Sequence, residues 1–151
     1  MKIESSAFAD NQIIPARYTC DGENFNPPLF FGDVPSEAKS LVLIVEDPDV
    51  PKNIRSDGMW DHWLVWNIPP ETREIAENAV ISWPTGKNTG GKNTYGGPCP
   101  PDRQHRYFFK LYALDVTLNL LSASGKKELL QAMDGHILAQ AQLVGLYARR
   151  L

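Results

Sequence analysis

Three apolar runs organise the chain. From Ser40 to Glu46, SLVLIVE is apolar at odd and even positions alike, the pattern of a strand covered on both faces. From Met59 to Asn67, MWDHWLVWN is a second strand-like run with an acid and an imidazole in its first half. Strict alternation would place Trp60, His62, Leu64 and Trp66 on one face, and Asp61, Trp63, Val65 and Asn67 on the other. From His105 to Asp115, HRYFFKLYALD groups His105, Tyr107, Phe109 and Leu111, with Arg106 opposite. Strands are therefore expected over 41–47, 61–68 and 105–114. Shorter candidates are PPLFF (27–31), AVISW (79–83) and a last strand in LVGLYAR (143–149).

Prolines punctuate these runs. Pro48 and Pro51 cannot continue a sheet ladder, so the first run ends in DPDVP with Asp47 and Asp49 at its mouth. Pro69 ends the second. Between Pro84 and Gln104 the chain is too rich in Gly and Pro for helix or strand, and it reads as a flexible connector. Its GKNTGGKNTYGG lacks the Gly-Lys-Ser/Thr ending and the strand-to-helix setting of a phosphate-cradling loop. Helical patterning comes late, with Ser124 as a cap before GKKELLQAM and a turn at GHILAQA. Helix is expected within 124–142. Strands first and helix last predict a mainly antiparallel β domain rather than a wound βαβ fold.

Composition narrows the function classes. At 151 residues, the length suits a single domain over 1–151. Fifteen Lys plus Arg against eighteen Asp plus Glu give a net charge of −3, which offers no general attraction to nucleic acid or anionic membrane. Any anion must be held locally. The start, MKIESSAFAD, lacks a secretory apolar run, and no segment reaches the roughly 20 apolar residues of a membrane span. A cytoplasmic protein is expected. Cys20 and Cys99 are too few for a disulfide framework and have no zinc spacing, so reduced thiols and no metal are expected.

Polar groups inside a sheet core need partners. If the strand mouths converge, Asp47, His62, His105 and Tyr107 form one cluster beneath the Gly-Pro segment, whereas a lone strand histidine is more often a hydrogen-bonded structural residue. His136, after Gly135, reads as a surface histidine. A His-Asp pair also has the ingredients of a small hydrolase with His62 or His105 as general base, although no serine carries a nucleophile-elbow signature. A third reading makes a protein interface the working surface.

The order DPDVP, WDHWLVWNIP, YGGPCPPDRQHRYFFKLYALD strongly resembles the phosphatidylethanolamine-binding protein family, which includes the Raf kinase inhibitor proteins, and in particular its bacterial and archaeal branch. PARYTCDGENFNPPLFF and HILAQAQLVGLYAR extend the resemblance over nearly the whole chain. Bulky Trp63 and Trp66, and Arg103, depart from the usual pattern without touching the matched positions. The resemblance implies a β-sandwich-like domain with a few peripheral and C-terminal helices, and a small cavity for phosphate-like anions. Its floor would match Asp47 and His62, its other wall Pro100, Pro101, His105 and Tyr107, and its rim Pro51 and Trp60. It further implies a non-enzymatic binding protein without cofactor, with a small anionic or phosphorylated ligand and a protein partner such as a kinase. A homodimer is a further candidate partner. Cys20 and Cys99 each fall in a loop of a matched block, which leaves two alternatives open, a pair of separate buried thiols or two cysteines close enough to pair under oxidation.

Overall fold

The computed structural model describes residues 1–150; Leu151, the last residue of the expected domain span, lies outside the described residues. Among the described residues, eight strands and one α-helix follow in order, with a short 3-10 helix (Ala16–Tyr18) after the second strand: β1 (Lys2–Glu4), β2 (Gln12–Ile13), β3 (Leu29–Gly32), β4 (Ser40–Asp47), β5 (Trp60–Ile68), β6 (Glu74–Ile75), β7 (His105–Leu114), α1 (Lys126–Met133) and β8 (Ile137–Tyr147). They build a five-stranded sheet, β2-β8-β7-β4-β5, and a three-stranded sheet, β1-β3-β6. Only the short β2–β8 pair is parallel. The fold is mainly β and sandwich-like.

The doubly apolar β4 has a direct cause: it lies between β5 and β7 and is buried along its whole length. Leu41, Leu43 and Val45 face the three-stranded sheet, where they join Ile3, Leu29 and Phe31. Val42 and Ile44 face the other way, packing with Leu64, Trp66 and the Leu129 and Met133 of α1. Residues 129 and 133 are one helical turn apart, so a single stripe of α1 covers the outer core.

The helix is shorter than the expected 124–142. It stops at Met133, and Gly135 adopts a φ of +78°, the left-handed conformation that ends helices. The chain from Ile137 then runs beside β7 from His105 to Leu114, alternating apolar and polar over Ala139–Gln142 and buried on both faces over Leu143–Gly145. The last strand therefore starts at Ile137 rather than near 143. The cap also differs: the Gly125 N–H donates to the Glu128 carboxylate at 3.1 Å, and Ser124 Oγ donates instead to Leu121 O. AVISW is not a strand. Asn26 Oδ1 takes the Ala79 N–H at 2.9 Å, and Val80 is 98% exposed.

Nor is the Gly- and Pro-rich segment a flexible connector. It runs along the outer edge of β5, joined to it by Trp66 N to Pro84 O, Gly86 N to Leu64 O, Thr89 N to Asp61 O and Gly96 N to His62 O. An edge strand otherwise left open is thereby covered. Two irregularities in the β4–β5 pairing also change the expected faces of β5. Val45 pairs with Trp63 and Glu46 with Asp61, so His62 is an extra residue in a bulge. Beyond it the side chains change phase: Leu64 and Trp66 face α1, while His62 turns to the sandwich interior with Trp63. Near the other end, Asn67 has φ +53° and its side chain bonds Leu118, on the α1 side.

Of the two expectations for the cysteines, closeness holds and separate reduced thiols do not. Cys20 and Cys99 form a disulfide with Cα atoms 5.4 Å apart. Their loops are brought together by Cys20 N to Pro98 O (3.1 Å), Gly97 N to Asn24 Oδ1 (2.9 Å) and Tyr95 Oη to Tyr18 O (2.7 Å). Among the described residues no helix is long and apolar enough to cross a membrane.

Candidate functional site

The two acids of DPD have separate tasks, set by where β4 stops. Asp47 is the last strand residue and points inward; its Oδ1 accepts the Asp49 N–H at 2.7 Å, closing the turn around Pro48. Asp49 points outward and accepts three bonds from Arg106: backbone N at 2.9 Å, Nε at 2.9 Å and Nη2 at 2.8 Å. That guanidinium holds the Asp49 carboxyl below the usual carboxylate range. The end of β4 is thus tied to the beginning of β7.

His105 lies inside this junction and is fully buried. Its Nδ1–H donates to Asp47 Oδ2 at 2.6 Å, and its Nε2–H donates to Asp102 Oδ1 at 2.7 Å. A neutral ring could serve only one of these carboxylates, so the pair of contacts describes an imidazolium held between two acids. The bond from His105 keeps the Asp102 carboxyl below its ordinary range. Asp102 was missed in the sequence, although CPPDRQH places it three residues before the histidine.

His62 is placed by the bulge. Its Nδ1 lies 2.6 Å from the carbonyl oxygen of Gly96. A carbonyl can only accept, so Nδ1 carries the hydrogen. Nε2 is buried without a hydrogen-bond partner, and so is the Tyr107 hydroxyl. The two rings meet edge to face with centroids 5.3 Å apart, and Tyr107 stacks on His105 at 6.4 Å. Burial lowers the His62 pKa, outweighing the upward pulls of the Gly96 carbonyl, Asp47 and Asp61. Burial, then Asp47, raises that of the Tyr107 phenol.

These groups lie in a cavity of about 400 Å³. Asp47, Trp60, His62, Pro100, Pro101, His105 and Tyr107 all line it. Pro51 does not: Val50 and Ile54, on either side in sequence, take the place expected for it. The lining also includes Gly96 and Gly97, from the Gly-Pro segment expected above the cluster, and the Cys20–Cys99 disulfide, which was not expected there. The two cysteines could have been found from their positions in matched loops. The role of Gly96 leaves no such trace, because it acts through its backbone.

Other candidates stand apart. Asp61 points to the α1 side, where its Oδ1 lies 2.6 Å from Lys126 Nζ, an ion pair whose geometry is not that of a hydrogen bond. His136 bonds Asp115 on the surface at 2.8 Å. A larger open groove, about 610 Å³, runs between the N-terminal segment and β8, but none of its lining side chains carries a buried unpartnered polar atom. Size and chemistry therefore point to different places, and chemistry favours the cavity at His62. Among the described residues no three His, Cys, Asp or Glu side chains are arranged to hold a metal ion.

Comparison with known proteins agrees across sequence and structure. The family model described as phosphatidylethanolamine-binding protein matches residues 4–148. A UPF0098 protein of Chlamydia trachomatis is 52% identical over 149 residues, covering 99% of both chains. One from Methanothermobacter thermautotrophicus is 48% identical over 155 residues, again covering 99% of each. The crystal structure of a phosphatidylethanolamine-binding protein homologue from Chlamydia trachomatis superposes with a TM-score of 0.96 at 52% identity, covering 99% of this chain and 97% of that one. Escherichia coli YbcL shares the fold at 24% identity, with a TM-score of 0.88 and coverage of 99% and 98%.

Proposed function

We propose, from the premise that the chain belongs to the phosphatidylethanolamine-binding protein family, that it is a non-enzymatic binding protein whose cavity at His62 holds a small phosphorylated ligand. The observation that carries this reading is that two residues lining one cavity with rings in contact, His62 and Tyr107, each hold a buried polar atom without a partner, Nε2 and Oη. Leaving either without a partner costs roughly 1–3 kcal/mol, and a bound phosphoryl group recovers that cost where an oxygen accepts from the Tyr107 hydroxyl and a P–OH donates to His62 Nε2. Trp60, Val50, Ile54, Pro100 and Pro101 give the remaining wall an apolar lining, suited to whatever carries the phosphoryl group. A protein partner such as a kinase enters this reading only as the bearer of such a group.

Binding is favoured over hydrolysis by how the histidines are engaged. His105 has carboxylates at both nitrogens and no lone pair with which to accept a proton. His62 is oriented by a carbonyl rather than by the carboxylate that supports a general base in a catalytic triad. The test is calorimetric titration with inorganic phosphate of the wild type, His62→Ala and Tyr107→Phe, each checked for native near-ultraviolet dichroism. Saturable binding weakened by both substitutions supports the proposal. Unchanged affinity in both folded variants, or phosphoester turnover that depends on His62, contradicts it.

A further inference from the structure

The hydrogen-bond valence of the cavity limits the kind of phosphoryl ligand that fits, an inference that rests on the function just proposed. Of four imidazole nitrogens at the site, three are committed: His105 Nδ1 to Asp47, His105 Nε2 to Asp102 and His62 Nδ1 to Gly96 O. The Gly96 carbonyl keeps the hydrogen on Nδ1, and in the neutral ring that burial favours the fourth nitrogen, His62 Nε2, carries the lone pair. His62 and Tyr107 are largely buried, 6% and 1% exposed, and both line the cavity. The site thus offers one acceptor, His62 Nε2, beside one hydroxyl, Tyr107 Oη.

We infer that the cavity selects oxyanions that still carry a proton, inorganic phosphate or the monoanion of a phosphomonoester, whose P–OH donates to His62 Nε2 while a second oxygen accepts from the Tyr107 hydroxyl. Sulfate at neutral pH has no proton to give. Its oxygens would face the nitrogen lone pair unless His62 took up a proton, which burial opposes. A phosphodiester lacks the P–OH for the same reason. An ammonium could donate to His62 but would leave the Tyr107 proton without an acceptor.

The ionisable groups around His62 come from three strands: Asp47 on β4, Asp61 on the reverse of β5, and His105 and Tyr107 on β7. The two carboxylates draw a proton towards His62 and His105 repels it. His105 and Asp47 are themselves paired, and desolvation of the buried ring, the largest influence, favours its neutral form. The donor for the fourth nitrogen is therefore supplied by the ligand.

Isothermal titration at pH 7 with inorganic phosphate, sulfate, dimethyl phosphate and ethanolamine tests this, using wild type and His62→Gln. Sites built around a ligand hydroxyl discriminate strongly against analogues without it, so phosphate should bind at least about tenfold more tightly than sulfate or dimethyl phosphate. His62→Gln replaces the lone pair with an amide that can donate or accept, and the preference should shrink towards equality. Equal affinity of the wild type for phosphate and sulfate overturns proton selection while leaving oxyanion binding standing. Binding of ethanolamine without phosphate, or no binding of any oxyanion at roughly 10 mM, overturns both this inference and the function it rests on.

Discussion

At the scale of single residues, histidine chemistry at this site is decided by what each ring nitrogen faces. Asp47, His62, His105 and Tyr107 could be read from the sequence as groups at strand mouths, and the structure brings them into one cavity. The pattern did not show that His105 is enclosed by two carboxylates. That depends on Asp102, whose position is set by the loop conformation after Pro101. Replacing Asp47 with Asn should therefore do more than remove a charge: it breaks a buried pair and destabilises the fold by about 3–5 kcal/mol, measurable by urea denaturation. The exposed partner pair behaves differently. Arg106 depresses the Asp49 pKa, so its contribution is present above the ordinary Asp pKa of about 3.9 and is lost as pH falls through the lower folded value. The stability difference between wild type and Arg106→Ala should accordingly be larger at pH 7 than at pH 3.

Among the elements, β4 was the most legible and β5 the least. Double-sided apolar burial requires no knowledge of partners, and SLVLIVE lies where it predicts, in the middle of the sheet. Alternation along β5 assumes an unbroken ladder, and the extra residue at His62 breaks it. No residue type in MWDHWLVWN marks that bulge, yet it turns the imidazole into the cavity. The Pro84–Gln104 segment was misread for a related reason: its backbone bonds to the β5 edge depend on tertiary placement, not on side-chain periodicity. Gly97 shows how tightly this segment packs. A Cβ there would collide with the Tyr18 carbonyl oxygen and with Asn24 Oδ1. Gly97→Ala should cost about 1–3 kcal/mol by overpacking and should weaken phosphate binding by displacing the cavity wall. Thermal melting together with the titration above would show both effects; an alanine variant with wild-type melting and affinity would contradict the packing described.

Over the whole molecule, one covalent link joins the N-terminal loop to the segment that walls the cavity. Cys20 and Cys99 are 79 residues apart in sequence, a separation that periodicity cannot bridge, and only their positions in matched loops brought them to notice. Removing a native disulfide from a small domain typically costs 2–5 kcal/mol, on the order of what Cys20→Ser with Cys99→Ser should show in denaturant. The same double variant should bind phosphate more weakly, because both cysteines line the cavity that His62 and Tyr107 face. The most direct measurement of the central claim is nitrogen NMR of the His62 ring, in protein labelled with 15N-histidine, at pH 7 with increasing phosphate. The expected spectrum is a neutral His62 ring with its proton on Nδ1, and an Nε2 resonance that shifts as it accepts a hydrogen bond, with His136 unmoved. A His62 ring protonated on both nitrogens in the complex, or a response confined to His136, would contradict it.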